Sequence, residues 1–120
     1  MRNSFYIILV SLVVFAGCKK KVSVDTVYDF KTVSAGDTVK ATFTLRNPTD
    51  KTLVIEDIAA ECDCVVPVRK AFNISPGTED KIVVDFLTVG AAGKQQRTIV
   101  VRTNGSPRFY RLKITGTIQK

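Results

Sequence analysis

One stretch decides the fold: Val39-Lys40-Ala41-Thr42-Phe43-Thr44-Leu45-Arg46. Every odd-numbered residue in it is apolar, and every even-numbered residue is polar or charged. Successive side chains of a β-strand point to opposite faces, so this pattern is typical of a strand with one buried and one solvated face. The stretch therefore predicts a strand that directs its Val, Ala, Phe and Leu side chains into a core.

The same alternation recurs along the rest of the chain. It is clear in 81–86, 97–103 and 111–115, and weaker in 27–33 and 52–58. Turns rich in Gly, Pro, Asn or Asp separate these runs; they lie at 34–37, 47–50, 75–77, 90–93 and 104–107. Such short strands and turns, within about a hundred residues, predict an antiparallel β-sandwich of about seven strands, with a small barrel as the alternative. The phenylalanines within the strand patterns are expected in the core: Phe30, Phe43, Phe86 and Phe109.

The first residues have the layout of a secretory signal. Arg2 provides a positive charge, residues 5–15 are apolar except for Ser11, and the segment closes on small residues before Cys18. A transmembrane helix needs roughly 17–25 apolar residues, and the 13 residues from Phe5 to Gly17 are too few. The pattern favours export and cleavage after residue 17.

Cys18 at the cleavage point indicates lipidation. The run Val14-Phe15-Ala16-Gly17-Cys18 resembles the bacterial lipobox, although Phe15 stands where Leu is usual. Two or more acyl chains hold a protein stably on a membrane. We therefore predict a signal peptide at 1–17, a lipid-anchored basic tether at 18–24 and one sandwich domain at 25–120. Lys19 after the anchor, rather than Asp, resembles lipoproteins sent to the outer membrane of diderm bacteria.

Composition limits the function classes. The formal net charge is +7, but export argues against nucleic acid as the partner, and acidic glycans or lipid headgroups are the anionic neighbours to expect. The chain has no histidine, which removes the commonest general base and metal ligand. We find no catalytic constellation and no motif for a cofactor, so an enzyme is not predicted.

The order of the strand and turn motifs resembles one bacterial family. The motifs are Asp29-Phe30-Lys31-Thr32-Val33, Ala41–Asn47, Leu53-Val54-Ile55, Cys62-Asp63-Cys64-Val65-Val66-Pro67, Ile74-Ser75-Pro76-Gly77, Thr103-Asn104 and Ile114-Thr115-Gly116. They resemble the family called domain of unknown function 1573, over roughly 25–118. The resemblance implies an exported protein, often a lipoprotein, with an immunoglobulin-like sandwich, and it implies no function. The family usually has Gly between the two cysteines, whereas this chain has Asp63, in either extended backbone or a mildly strained bend.

Cys62 and Cys64 are the one pair that could carry chemistry. On an extended strand their Cα atoms would lie about 6.6 Å apart, at the upper limit for a disulfide, so bridging them requires a local bend. Glu61 and Asp63 would raise the thiol pKa, unless Arg69 and Lys70 fold back towards the pair. Two cysteines fall short of a four-ligand zinc site but could bind Cu(I). A structural or oxidised pair, a redox pair and a metal pair all remain open.

These observations leave two hypotheses. The first is a lipid-anchored, non-enzymatic binding or scaffold module of the cell envelope, with a protein or glycan partner. The second is an envelope protein that handles thiols or Cu(I) through Cys62 and Cys64.

Overall fold

The computed structural model describes residues 21–120, and every regular element in this range is a β-strand. The strands are β1 (Ser23–Val24), β2 (Val27–Ser34), β3 (Thr38–Asn47), β4 (Leu53–Ala60), β5 (Val65–Pro67), β6 (Phe72–Ile74), β7 (Thr78–Leu87), β8 (Gly93–Thr103) and β9 (Phe109–Gln119). Three of them have only two or three residues, and the other six correspond to the alternating runs of the sequence. The predicted all-β class is confirmed.

Two sheets form the sandwich. The four-stranded sheet has the order β1-β3-β7-β5, and the five-stranded sheet has the order β2-β9-β8-β4-β6. Neighbouring strands are antiparallel except β2 and β9, which are parallel. Because β1 pairs with β3 and β2 pairs with β9, the chain changes sheets between Val24 and Val27.

The stretch that predicted the fold lies in β3, at the centre of the four-stranded sheet. Val39, Ala41, Phe43 and Leu45 are all buried, and β3 pairs with β7 over its whole length. The inward residues of the two sheets form one hydrophobic core. The antiparallel ladder and the alternating burial confirm the predicted half-buried strand.

The prediction that the four phenylalanines of the strand patterns lie in the core is wrong for Phe109. Phe30, Phe43 and Phe86 lie in the core, whereas Phe109 is 56% exposed. The inward residues of β9 are at even-numbered positions, and they include Leu112 and Ile114. Since sides alternate along a strand, odd-numbered Phe109 points away from the core.

A bulge in β4 changes which of its residues face inward. Leu53 and Ile55 are buried, and the next buried residue is Ile58, three positions later. The pairing with β8 shifts register between Ile55 and Asp57, so one extra residue is inserted there. This shift keeps the apolar side chains of β4 on the core side despite the interrupted alternation.

The segment predicted to be a signal peptide and the predicted lipidation site, Cys18, lie outside the described residues. Ser23 and Val24, which the sequence pattern assigned to the tether, form β1, and Val22 and Val24 pack partly against the core. Ordered structure therefore begins before residue 25, because these valines bury apolar surface. Within residues 21–120, no helix is long and apolar enough to span a membrane.

Candidate functional site

The Cys62–Cys64 turn is where the chain crosses from the five-stranded to the four-stranded sheet. It follows β4 and precedes β5. The N–H of Val65 donates a hydrogen bond to the carbonyl of Cys62 at 3.3 Å, which closes a turn with Asp63 and Cys64 at its centre. The backbone is therefore bent, as a bridge between residues i and i+2 requires.

Cys62 and Cys64 form a disulfide in this turn. Their Cα atoms are 5.2 Å apart, well inside the range of ordinary disulfides and shorter than an extended strand would give. Both side chains are half-buried and pack against the edge of the core. The bond is thus at the surface, where a reductant or another thiol could approach it.

Asp63 occupies the turn without left-handed backbone. Lys31, with φ of 63°, is the one non-glycine residue with positive φ within residues 21–120. Of the two alternatives for Asp63, the bend is the one observed, but it lacks the strain that glycine would relieve. Asp63, in place of the glycine that the family resemblance implies, is therefore compatible with the local backbone.

Strand β5 holds the turn against the core. The carbonyl of Cys64 accepts a hydrogen bond from the N–H of Leu87 at 2.7 Å, and Val65 pairs with Phe86. Val65 is only 2% exposed. The C-terminal side of the turn is thus tied to β7, while Asp63 is exposed to solvent.

A depression of about 420 Å³ lies beside the turn. Its walls are the end of β4, the cysteine turn, β5 and the side chain of Lys70. Ala60, Val65 and Pro67 contribute apolar surface, and Asp57 and Asp63 contribute carboxylates. The depression therefore combines an apolar wall with charged groups.

Arg69 and Lys70, the two cations that follow the cysteine pair in the sequence, lie in different surroundings. Arg69 donates a hydrogen bond to Asp80 at 2.9 Å, and its guanidinium lies 3.9 Å from the centre of the Phe72 ring. Its charge is thus engaged by β7 and β6. Lys70 lines the depression together with Cys62, so it is the cation of this segment that shares the depression with the cysteine pair.

Metal ligands are sparse in the described chain. Within residues 21–120, no three His, Cys, Asp or Glu side chains are grouped so that they could hold a metal ion. Reduced Cys62 and Cys64 would offer two sulfur ligands, a number that suits Cu(I) better than Zn²⁺.

The edge of β4 is a feature that the sequence did not reveal. Strand β6 pairs only with Leu53, Val54 and Ile55, whereas β8 pairs with β4 as far as Ala60. Residues 57–60 therefore pair with a strand on one side only, and their other side borders the depression, which separates them from β5. No local pattern could have indicated this, because it depends on where a distant three-residue strand ends.

A second depression, of about 550 Å³, lies on the outer face of the five-stranded sheet. Apart from Gly116, the residues that line it have polar or charged side chains, and they include Lys31, Lys94 and Thr117. It lies next to the bulge of β2 between Asp29 and Thr32. The sequence did not predict this bulge either.

Comparison with sequence models of protein families identifies one family. The sequence model of a family described as a protein of unknown function (DUF1573) matches residues 22–118. The chain belongs to the DUF1573 family. The resemblance drawn from the motifs is confirmed, and the match extends to Val22, which packs against the core of this DUF1573 chain. A comparison with curated proteins finds no match.

Solved structures resemble the DUF1573 chain in fold. The PapD-like domain 7 of human CEP192 has a TM-score of 0.67 at 13% identity, covering 83% of this chain and 86% of that one. A Porphyromonas gingivalis protein of unknown function has a TM-score of 0.66 at 19% identity, and the match covers 80% of this chain and 46% of that one. A chain of the CsuC–CsuE chaperone–tip adhesion subunit complex of Acinetobacter baumannii has a TM-score of 0.61 at 10% identity. The match covers 83% of this chain and 58% of that one. Identities this low establish the fold alone, an immunoglobulin-like, PapD-like sandwich.

Proposed function

We propose that this DUF1573 protein is a lipid-anchored, non-enzymatic binding module of the bacterial cell envelope. The observation that carries the proposal is an exposed apolar cluster beside the free edge of β4. We call it the valine patch, and it consists of Val66, Val68 and Leu87, which are 46%, 58% and 41% exposed. Contiguous exposed apolar surface with a polar border is typical of interaction sites.

The register of β5 and β7 places the valine patch on one face. Val65 and Phe86 pair and point inward, so the residues next to them, Val66 and Leu87, point outward on the same face. The N–H of Val68 bonds to the carbonyl of Val83, which continues the patch along the outer face of the sheet. Lys40 and Asp85 form an ion pair at its border. The patch is thus a small apolar surface with a charged rim.

Crosslinking in cells tests the binding role. A photoreactive amino acid in place of Val66 should yield discrete adducts with an envelope component. The same amino acid in place of Lys113, which is exposed on the outer face of the other sheet, is the control and should yield far fewer. Equal yields from both positions, or none from Val66, would contradict a binding surface at the valine patch.

The anchor has a separate test. Metabolic labelling with a palmitate analogue should mark the wild-type chain and fail on Cys18→Ala, because the thiol of Cys18 is the proposed acylation site. The double variant Cys62→Ser, Cys64→Ser should keep the label. Label retained by Cys18→Ala would end the lipid-anchor proposal. Fractionation of the labelled protein with the outer membrane, rather than the inner one, would support the assignment drawn from Lys19.

A second candidate function is thiol or Cu(I) handling by Cys62 and Cys64. It is favoured by a disulfide that is half-exposed and borders a depression containing Lys70. If the pair has this function, a mild reductant without denaturant should reduce the disulfide of the native protein to two reactive thiols. The reduced protein should then bind one Cu(I) per chain. The variant Cys62→Ser, Cys64→Ser should lose both properties and stay folded, since so small a loop stabilises the fold by less than about 2 kcal/mol. Inaccessible thiols together with no Cu(I) uptake would exclude this role.

A further inference from the structure

We infer that the partner binds by adding an extended peptide strand to the free edge of β4 at residues 57–60. This inference rests on the proposed binding function and names the class of partner. The carrying observation is that these residues pair with β8 on one side only, while the other side borders the depression. Backbone N–H and C=O groups on an open edge are matched best by another extended backbone.

Several other edges in the described chain carry features that discourage pairing, among them the one-sided stretches of β3 and β8, which contain Lys40 and Lys94. The outer strand β2 has a bulge at which Lys31 adopts φ of 63°. The strands β5 and β6 have three residues each, and β5 ends on Pro67. Short strands, bulges, prolines and lysines are the usual protections of sheet edges. Residues 57–60 read Asp-Ile-Ala-Ala, contain neither Pro nor Lys, and continue an eight-residue strand.

The environment of this edge indicates the sequence of the added strand. After the bulge in β4, Ile58 and Ala60 point inward, and Val65 and Pro67 extend this apolar wall. The other face of the edge carries Asp57. An added strand would therefore have apolar side chains at alternate positions on its inner face and polar ones on the other.

The charged side chains around the edge indicate which residues should flank the apolar positions of the peptide. Asp57, Glu61 and Asp63 lie around the edge, whereas Arg69 is paired with Asp80 and Arg102 is paired with Glu56. Two cations lie near these three carboxylates: Lys70 lines the depression, and Arg111 lies near Glu61 on the outer face of the five-stranded sheet. This end of a chain with a net charge of +7 is thus locally acidic, so the matching segment carries Lys or Arg beside its apolar residues.

The test uses the full chain purified from membranes in detergent, with the synthetic peptide Lys-Val-Thr-Val-Thr-Val-Lys as the probe. Saturable binding should shift the NMR signals of the backbone amides at 57–60. N-methylation of the alternate peptide amides that face β4 should weaken binding at least tenfold. N-methylation of the amides on the opposite edge of the peptide should hardly change it, because an added strand forms its hydrogen bonds along a single edge. Replacing both lysines of the peptide by Glu should also weaken binding.

A variant adds a control on the protein side. Ala60→Lys places a charge on the inner face of the edge and should abolish peptide binding, whereas Ala92→Lys, in the exposed turn before β8, should leave it unchanged. If Ala60→Lys does not fold, the N-methylated peptides decide the matter alone. Equal binding of both N-methylated forms, signal changes away from 57–60, or no binding would overturn strand addition. Dimerisation through the same amides without peptide would also overturn it, since the occupant would then be a second copy.

The two proposals fail in different ways. Adducts from Val66 in cells combined with no peptide binding would leave a binding module that does not use strand addition. Peptide binding at 57–60 with no adducts from Val66 would remove the valine patch and keep the edge as the site of recognition.

Discussion

At the scale of single residues, Gly116 and Phe30 show how one missing side chain shapes the sandwich. Phe30 is in the core, and its ring packs edge-on against Phe86 at 5.9 Å between centroids. A Cβ atom on Gly116 would overlap one side of the Phe30 ring, at Cε2, Cδ2 and Cγ. The bulge next to Phe30 is held by Asp29, whose carboxylate accepts a hydrogen bond from the N–H of Lys31 at 2.8 Å. Gly116 thus provides the space that lets β2 bury its phenylalanine.

Gly116→Ala should therefore destabilise the protein. The ring of Phe30 is buried and cannot move aside freely, so overpacking should lower the free energy of unfolding by about 1–3 kcal/mol. Urea denaturation of wild type, Gly116→Ala, Phe30→Ala and the double variant measures it. In the Phe30→Ala background the cost of Gly116→Ala should shrink, because the overlapping Cγ, Cδ2 and Cε2 carbons are gone. An equal cost in both backgrounds would show that the overlap with Phe30 is not the cause.

At the scale of elements, alternation predicts long strands well and short strands poorly. The odd-numbered apolar residues of β3 and the pattern Ile82, Val84, Phe86 of β7 predicted burial correctly, because a period of two is visible over six or more residues. The strands β1, β5 and β6 have at most three residues, too few to show a period. The cysteine pair was visible as a candidate site, but the open edge at residues 57–60 was not, since pairing between distant strands defines it.

Arg69 and Asp80 connect the segment after β5 to β7, and they give the fold a dependence on pH. Partial burial favours the neutral form of Asp80, but the hydrogen bond from Arg69, the N–H of Lys81 and the charge of Arg69 outweigh it, so the pKa of Asp80 lies below its ordinary value. A carboxylate with a lowered pKa stabilises the folded state above its unfolded pKa of about 3.9 and loses that contribution as the pH falls through its folded pKa.

Asp80→Asn should therefore remove part of the acid sensitivity of the fold. Between about pH 5 and pH 2, the free energy of unfolding should fall less steeply in Asp80→Asn than in the wild type, since the wild type must protonate a carboxylate that Arg69 stabilises. Asp50→Asn is the matched control, because Asp50 is exposed and has no ion pair within residues 21–120. Denaturant titrations at several pH values measure the slopes. Parallel slopes for Asp80→Asn and wild type would contradict a role for this pair.

At the scale of the whole molecule, one core joins the two sheets. Its buried residues come from all of the long strands, and they include Phe43 and Phe86 of the four-stranded sheet and Ile99 and Leu112 of the five-stranded sheet. Phe86 of the four-stranded sheet contacts the five-stranded sheet, because Phe30 packs on its ring edge and the Arg97 guanidinium lies 5.3 Å from its ring centre. A core shared in this way should make the long strands unfold together, as small single domains usually do. The disulfide closes only a local turn and cannot substitute for that core.

Phe86→Ala should consequently weaken every long strand and not only its own. Truncation of a fully buried phenylalanine should lower the free energy of unfolding by about 3–5 kcal/mol, through lost burial and the cavity left behind. Phe109→Ala is the matched control, because the same atoms are removed from a side chain that is 56% exposed, and it should cost far less. Native-state hydrogen exchange then shows whether the domain unfolds as one unit or the two sheets open separately. If the domain unfolds as one unit, the slowest amides of β3, β8 and β9 lose the same free energy of protection as those of β7. A loss confined to β3, β5 and β7 would instead show that the four-stranded sheet opens separately, and that the edge of β4 is supported by the five-stranded sheet alone.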